Sequence, residues 1–108
     1  MKPFVPHAFK VPEKLETKKF RLRMLSVNDV VKDFDAVMSS VEHLSTIWPD
    51  QQWPDGLTFE QNLIDLGWHQ KEFQIRRSFA YTVISPCEER VLGCVYIEPT
   101  QKIGRAHV

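Results

Sequence analysis

No run of apolar residues in this chain approaches the roughly 20 that a membrane-spanning helix needs. The amino-terminal stretch MKPFVPHAF lacks the continuous apolar segment of a signal peptide. An excess of charge of either sign is missing too: 14 Lys and Arg stand against 14 Asp and Glu, so nothing marks a nucleic-acid or anionic-membrane partner. Cysteine is scarce. Cys87 and Cys94 are the only two; a disulfide between them is open, but two thiols fit a reducing compartment better, and the chain reads as cytoplasmic. Glycine is scarce as well, with 4 residues, and the glycine-rich phosphate loops, the nucleophile elbow and the paired-cysteine motif are absent. His7, His43 and His69 are scattered, and His69 with Glu72 reads as a solvated helix face, so no metal site is expected. What these absences leave is a domain-sized chain of 108 residues, 43% hydrophobic, able to bury one modest core.

Patterning divides that chain. Residues 1–19 hold Pro3, Pro6 and Pro12 among Phe4, Val5, Phe9 and Val11; prolines lack the amide donor and extend their predecessors, which predicts an extended arm lying against the body. FRLRML (20–25) alternates apolar and basic residues, the period of a half-buried strand. From Ser26, a good N-cap, the period changes: Val27, Val30, Val31, Phe34, Val37, Met38 and Val41 make one helical stripe. STIWPDQQWPDGL (45–57), with two Trp-Pro pairs, reads as a loop. Thr58 and Gln61 form a capping box for a second helix, expected to run to about Arg77, with Gly67 as its weak point. Its inward face is assigned to Phe59, Leu63, Leu66 and Phe73, widened by Ile64, Trp68 and Ile75. SFAYTVIS and RVLGCVYIE on either side of PCEE predict a hairpin, and the rarity of charge in both strands predicts cover on both faces.

Three tryptophans carry the most information about a site. Trp48 and Trp53 flank the interhelical loop, where aromatics either wall a pocket or cap the core. Trp68 falls on the helical stripe and is expected in the core. Tyr81 and Tyr96 sit on the predicted strands, their hydroxyls facing a cleft or bonding within the fold. The last six residues, IGRAHV (103–108), fit no element: they match the translation of a sequencing adapter, ATC GGA AGA GCA CAC GTC, which a stop codon follows. They are read as a foreign tail, with Lys102 at the junction.

LETKKFRLRML (15–25) and the helix opening SVND resemble the start of the GNAT N-acetyltransferase superfamily, commonly ETERLRLRPL. SFAYTVIS and RVLGCVYIEP resemble that superfamily's second and third strands, and strand, helix, helix, strand, strand is the order of its first half. The resemblance spans about residues 15–101. It implies an α/β fold of α+β character, a mixed sheet in the full-length parent, and a GNAT domain beginning at residues 20–102. It also implies acetyl transfer from acetyl-CoA to a small-molecule or peptide amine. In that superfamily a Q/R-x-x-G-x-G/A loop after the next strand holds the cofactor, a base deprotonates the amine, and a tyrosine often protonates the leaving thiolate. Nothing here matches that loop. The cofactor site and the catalytic residues are therefore expected beyond the truncation, and the fragment is expected to be inactive. The superfamily's interhelical loop lines the acceptor pocket, which nominates Trp48, Trp53 and Tyr96, with Glu98 as a further candidate for the base. The alternative is a small non-catalytic α+β binding module that uses the Trp-rich loop 45–57.

Overall fold

The computed structural model describes residues 3–41, 43, 46 and 56–99. Its elements are β1 (Lys14–Glu16), β2 (Arg21–Met24), α1 (Val30–Ser39), α2 (Phe59–Gln74), β3 (Phe79–Ile84) and β4 (Val91–Ile97). The strands form one sheet in the order β1-β2-β3-β4, each pair antiparallel. The sheet thus begins inside the proline-containing segment: Leu15 pairs with Leu22. Thr17 closes that hairpin, its Oγ1 accepting from the amides of Lys19 at 3.2 Å and Phe20 at 3.1 Å, a local turn that a threonine hydroxyl stabilises.

Both predicted N-cap residues cap their helices, but the reciprocal half of the capping box does not form, since Gln61 Nε2 donates to Asp65 Oδ1 at 3.4 Å instead. Ser26 Oγ accepts from the Asn28 amide at 3.3 Å, opening a 3₁₀ turn over Val27–Asp29 that feeds α1. Thr58 Oγ1 accepts from the Gln61 amide at 3.0 Å and starts α2. That helix ends at Gln74, earlier than its apolar period suggests, because Arg76 adopts the left-handed conformation at φ 64. The Arg76 amide then bonds Phe73 O at 3.1 Å and the Arg77 amide bonds Glu72 O at 2.9 Å. This is the Schellman arrangement, which satisfies the last carbonyls.

The helices run antiparallel on one face of the sheet. Phe34 of α1 meets Phe59 of α2 edge to face at 5.6 Å. At the other end Gln70 Oε1 accepts from the Val27 amide at 3.0 Å. Beneath them Leu25, Leu66 and Ala80 form the core, flanked by Val27, Val30, Cys94 and Tyr96. A second core joins Phe73, from the last turn of α2, to Phe79 and Tyr81, which alternate with Ala80 along β3; Val5 and Val11 of the arm and Leu22 and Met24 pack against it. The arm is fastened as well as packed. Arg76 Nη2 donates to Pro6 O and Phe9 O, each at 2.8 Å, and Tyr81 OH donates to Pro12 O at 2.7 Å.

Three burial expectations need correction. β3 is covered on both faces, but Leu92, Val95 and Ile97 of β4 are exposed, because β4 pairs only with β3 among the described strands. On α2, Ile64 and Trp68 face outward, as does Ile75 just past its end; Phe59 and Leu63, assigned inward, are exposed too, and Trp68 is 56% exposed rather than in the core. On α1, Val31 and Met38 are exposed while Asp29 just ahead of the helix and Asp33 within it are each only 5% exposed. The helix is thus rotated so that the stripe turned to the sheet carries Asp33 beside Val30, Phe34 and Val37.

Candidate functional site

A cleft of about 660 Å³ opens between α1, α2 and β4, and Asp33 lies at its buried side. Asn62, on the inward face of α2, donates from Nδ2 to Asp33 Oδ2 at 2.9 Å. Cys94, brought onto the helical face of β4 by its register with Thr82, donates from Sγ to Asp33 Oδ1 at 3.7 Å. Tyr96, two residues on and therefore on the same face, also lines the cleft, and the His69 ring packs against it at 5.1 Å. Trp68 forms part of the rim and carries Lys71 Nζ at 4.9 Å over its ring.

The environment sets the proton positions. Burial raises the Asp33 carboxyl above the usual range, although hydrogen bonds from Asn62 and Cys94 pull the other way. Burial, reinforced by the Asp33 charge, pushes the Cys94 thiol up to about 12, so at neutral pH it is a weak donor rather than a nucleophile. Tyr96 is shifted upward too, first by burial and then by the charges of its neighbours, and holds its proton throughout the physiological range.

The other buried aspartate has a different setting. Asp29 accepts from Arg23 twice, Oδ2 from Nε at 3.0 Å and Oδ1 from Nη2 at 2.5 Å. Arg23 also contacts Glu88, which Arg21 Nη1 reaches at 2.6 Å. This network ties β2, the 3₁₀ turn and the β3–β4 connection together, and the two guanidinium groups, Arg23 first, hold the Glu88 carboxyl below its ordinary range.

Of the residues nominated from sequence, Tyr96 lies in the cleft. Glu98 does not: it is exposed and borders a second cleft of about 690 Å³ between the arm, the end of α2 and the end of β4. Trp68 and His69 border both. Trp48, Trp53 and the tail 103–108 lie outside the described residues. The sequence reading missed Asp33 and Asn62. Each carried a signal, a polar residue inside an apolar helical stripe, three positions after Val30 and Phe59 respectively.

An antiparallel four-stranded sheet, with a helical hairpin inserted between its second and third strands and laid on one face, is a GNAT-like fold. The crystal structure of a ribosomal-protein-S5-alanine acetyltransferase from Vibrio fischeri shares it with a TM-score of 0.69 at 18% sequence identity. The match covers 82% of this chain and 48% of that one, so this chain spans about half the length of that protein. No protein-family model matches the chain, and no curated protein matches it significantly.

Proposed function

We propose that the chain is the amino-terminal part of a GNAT-type N-acetyltransferase, and that the whole enzyme moves an acetyl group from acetyl-CoA to a primary amine. The fold likeness across 82% of the chain supports this most, and the cleft beside β4 supplies a place for the acceptor. In this reading the cleft binds the amine, and Tyr96, which keeps its proton, orients it by a hydrogen bond. Trp48 and Trp53 stay acceptor-pocket candidates on the superfamily resemblance alone. Acetyl-CoA brings the activated thioester. The described residues do not fit its pyrophosphate: Gly56, Gly67 and Gly93 stand singly, not in a loop that presents adjacent amides. In this reading the cofactor cradle, the base and the acid belong to the half of such a domain that this chain does not span.

Reading the gene past Gln101 tests this, together with an assay of the protein it encodes. The expected frame continues into a strand and a Q/R-x-x-G-x-G/A loop, and the encoded protein releases free CoA when given acetyl-CoA and a primary amine. Calorimetry on the 108-residue chain alone is expected to show no saturable acetyl-CoA binding. A genomic IGRAHV followed by a stop, or micromolar binding by the short chain, overturns the reading and favours a finished binding module.

A further inference from the structure

We propose that Asp33 is the cation-binding residue of the cleft, receiving the protonated nitrogen of a primary-amine ligand on a carboxylate that Asn62 holds in place. The inference rests on the acceptor reading of the cleft, but not on acetyl transfer.

The comparison with Asp29 carries it. Both aspartates are 5% exposed, and they lie four residues apart, one helical turn. Asp29 has a guanidinium gripping both oxygens. Asp33 has only neutral donors, an amide and a thiol, and no ion pair among the described residues. A buried carboxylate supplied only with neutral hydrogen bonds retains a large unmet attraction for positive charge. Burial also raises its proton affinity, so a bound cation would displace a proton or offset the desolvation of the charge.

Unlike a core carboxylate sealed in by side chains, this one borders a cavity. The cavity's other charged groups are Asp35 and Asp65 from the two helices and Arg90 from the start of β4, with His43 and His69 beside them. The fixed charges in the cleft are thus mostly negative. The aromatic rings of Trp68 and Tyr96 add faces that attract cations, and Trp68 already holds one, Lys71.

The geometry also selects the kind of cation. A guanidinium fork needs both carboxylate oxygens side by side, yet each Asp33 oxygen already accepts a hydrogen bond on its own side. A primary ammonium is a compact charge with three donors. It needs one free lone pair from Asp33, and it can draw on the Asn62 carbonyl oxygen and the Tyr96 hydroxyl for the rest. A metal ion is disfavoured because no group of three or more His, Cys, Asp or Glu side chains among the described residues could hold one.

The test uses the 108-residue chain, n-butylammonium chloride as probe and n-butanol as its uncharged counterpart, without acetyl-CoA. Binding is followed by nuclear magnetic resonance at the Asn62 side-chain amide and the backbone amides of α1 and β4. Butylammonium is expected to saturate and to bind roughly tenfold or more tightly than butanol, the scale of a charge-assisted hydrogen bond. Asp33→Asn, which keeps the shape and an oxygen for Asn62, is expected to abolish that difference. Glu16→Gln, on exposed β1 and outside the cleft, is expected to keep it. Equal binding of the two probes by the unaltered chain overturns the proposal without relying on any variant, as does full binding by Asp33→Asn or equal loss in Glu16→Gln. Acetyl transfer that survives Asp33→Asn with unchanged KM sinks the Asp33 role alone. Ammonium binding to Asp33 alongside a gene product that never transfers acetyl sinks the enzyme reading alone.

Discussion

Replacing Arg23 with methionine removes the only cation that touches Asp29 among the described residues, while keeping most of the aliphatic volume on β2. Asp29 is buried and cannot turn to water, so its charge stays behind with two hydrogen bonds lost. Breaking a buried pair by deleting one partner costs about 3–5 kcal/mol. Arg23 is itself a third exposed, however. Solvent screening on that side lowers the expectation to about 2–3 kcal/mol. For a domain of this size that is a fall in Tm on the order of 10–20 °C, a large part of a total stability of about 5–15 kcal/mol. Combining Arg23→Met with Asp29→Asn removes the orphaned charge and is expected to recover more than half of the loss. Urea unfolding of the unaltered chain, the two single variants and the double variant gives the complete cycle. If Arg23→Met costs under about 1 kcal/mol, or the double variant is no more stable than Arg23→Met, then this pair is a surface contact and the buried-charge argument fails here.

Three further outcomes are expected. Gly67→Ala should stabilise the fold by about 0.5–1 kcal/mol in thermal unfolding, since the added methyl group meets Val27 Cγ1 at an ordinary 3.7 Å in the helix interior; a loss of stability would mean that α2 sits closer to the 3₁₀ turn than this. Asp33 holds its proton more tightly folded than unfolded, so stability falls as pH rises from the unfolded carboxyl pKa of about 3.9 through the higher folded value. Asp33→Asn should therefore outlast the parent in urea at neutral pH and lose that advantage below the unfolded pKa, whereas an advantage that grew in acid would reverse the sign of the argument. Arg76→Ala removes both clamps on the arm at Pro6 and Phe9, so limited proteolysis should cut the amino-terminal segment faster while the sheet stays intact; unchanged cutting would show that packing of Phe4, Val5 and Val11 suffices.

Local chemistry was readable wherever it acts over a few residues. Ser26 and Thr58 cap because a hydroxyl in extended backbone lies within reach of an amide two or three positions on. The strands over Phe79–Ile84 and Val91–Ile97 form where β-branched and aromatic residues run together. The end of α2 was not readable, because arginine in the left-handed region has no sequence signature of the kind glycine has. Nor was the orientation of α1 or α2. Val31 and Met38, like Ile64 and Trp68, satisfy helical periodicity as well as their neighbours do, yet lie outward. A stripe wider than the available contact leaves one flank exposed, and only the partner surface decides which flank that is.

The sequence by itself determined the number and kind of most elements, their caps, and the order that makes the chain resemble half of a GNAT domain, since each depends on neighbours in the chain and on intrinsic preference. Tertiary structure alone decided that Asp33 of α1, Asn62 of α2, and Cys94 and Tyr96 of β4 share one cleft, and that among the described residues Asp29 forms an ion pair while Asp33 forms none. Those meetings join distant residues, Asp33 and Cys94 being 61 positions apart. They arise from the rotation of two helices against a sheet, which is set by packing the whole core at once and not by any stretch of chain read alone.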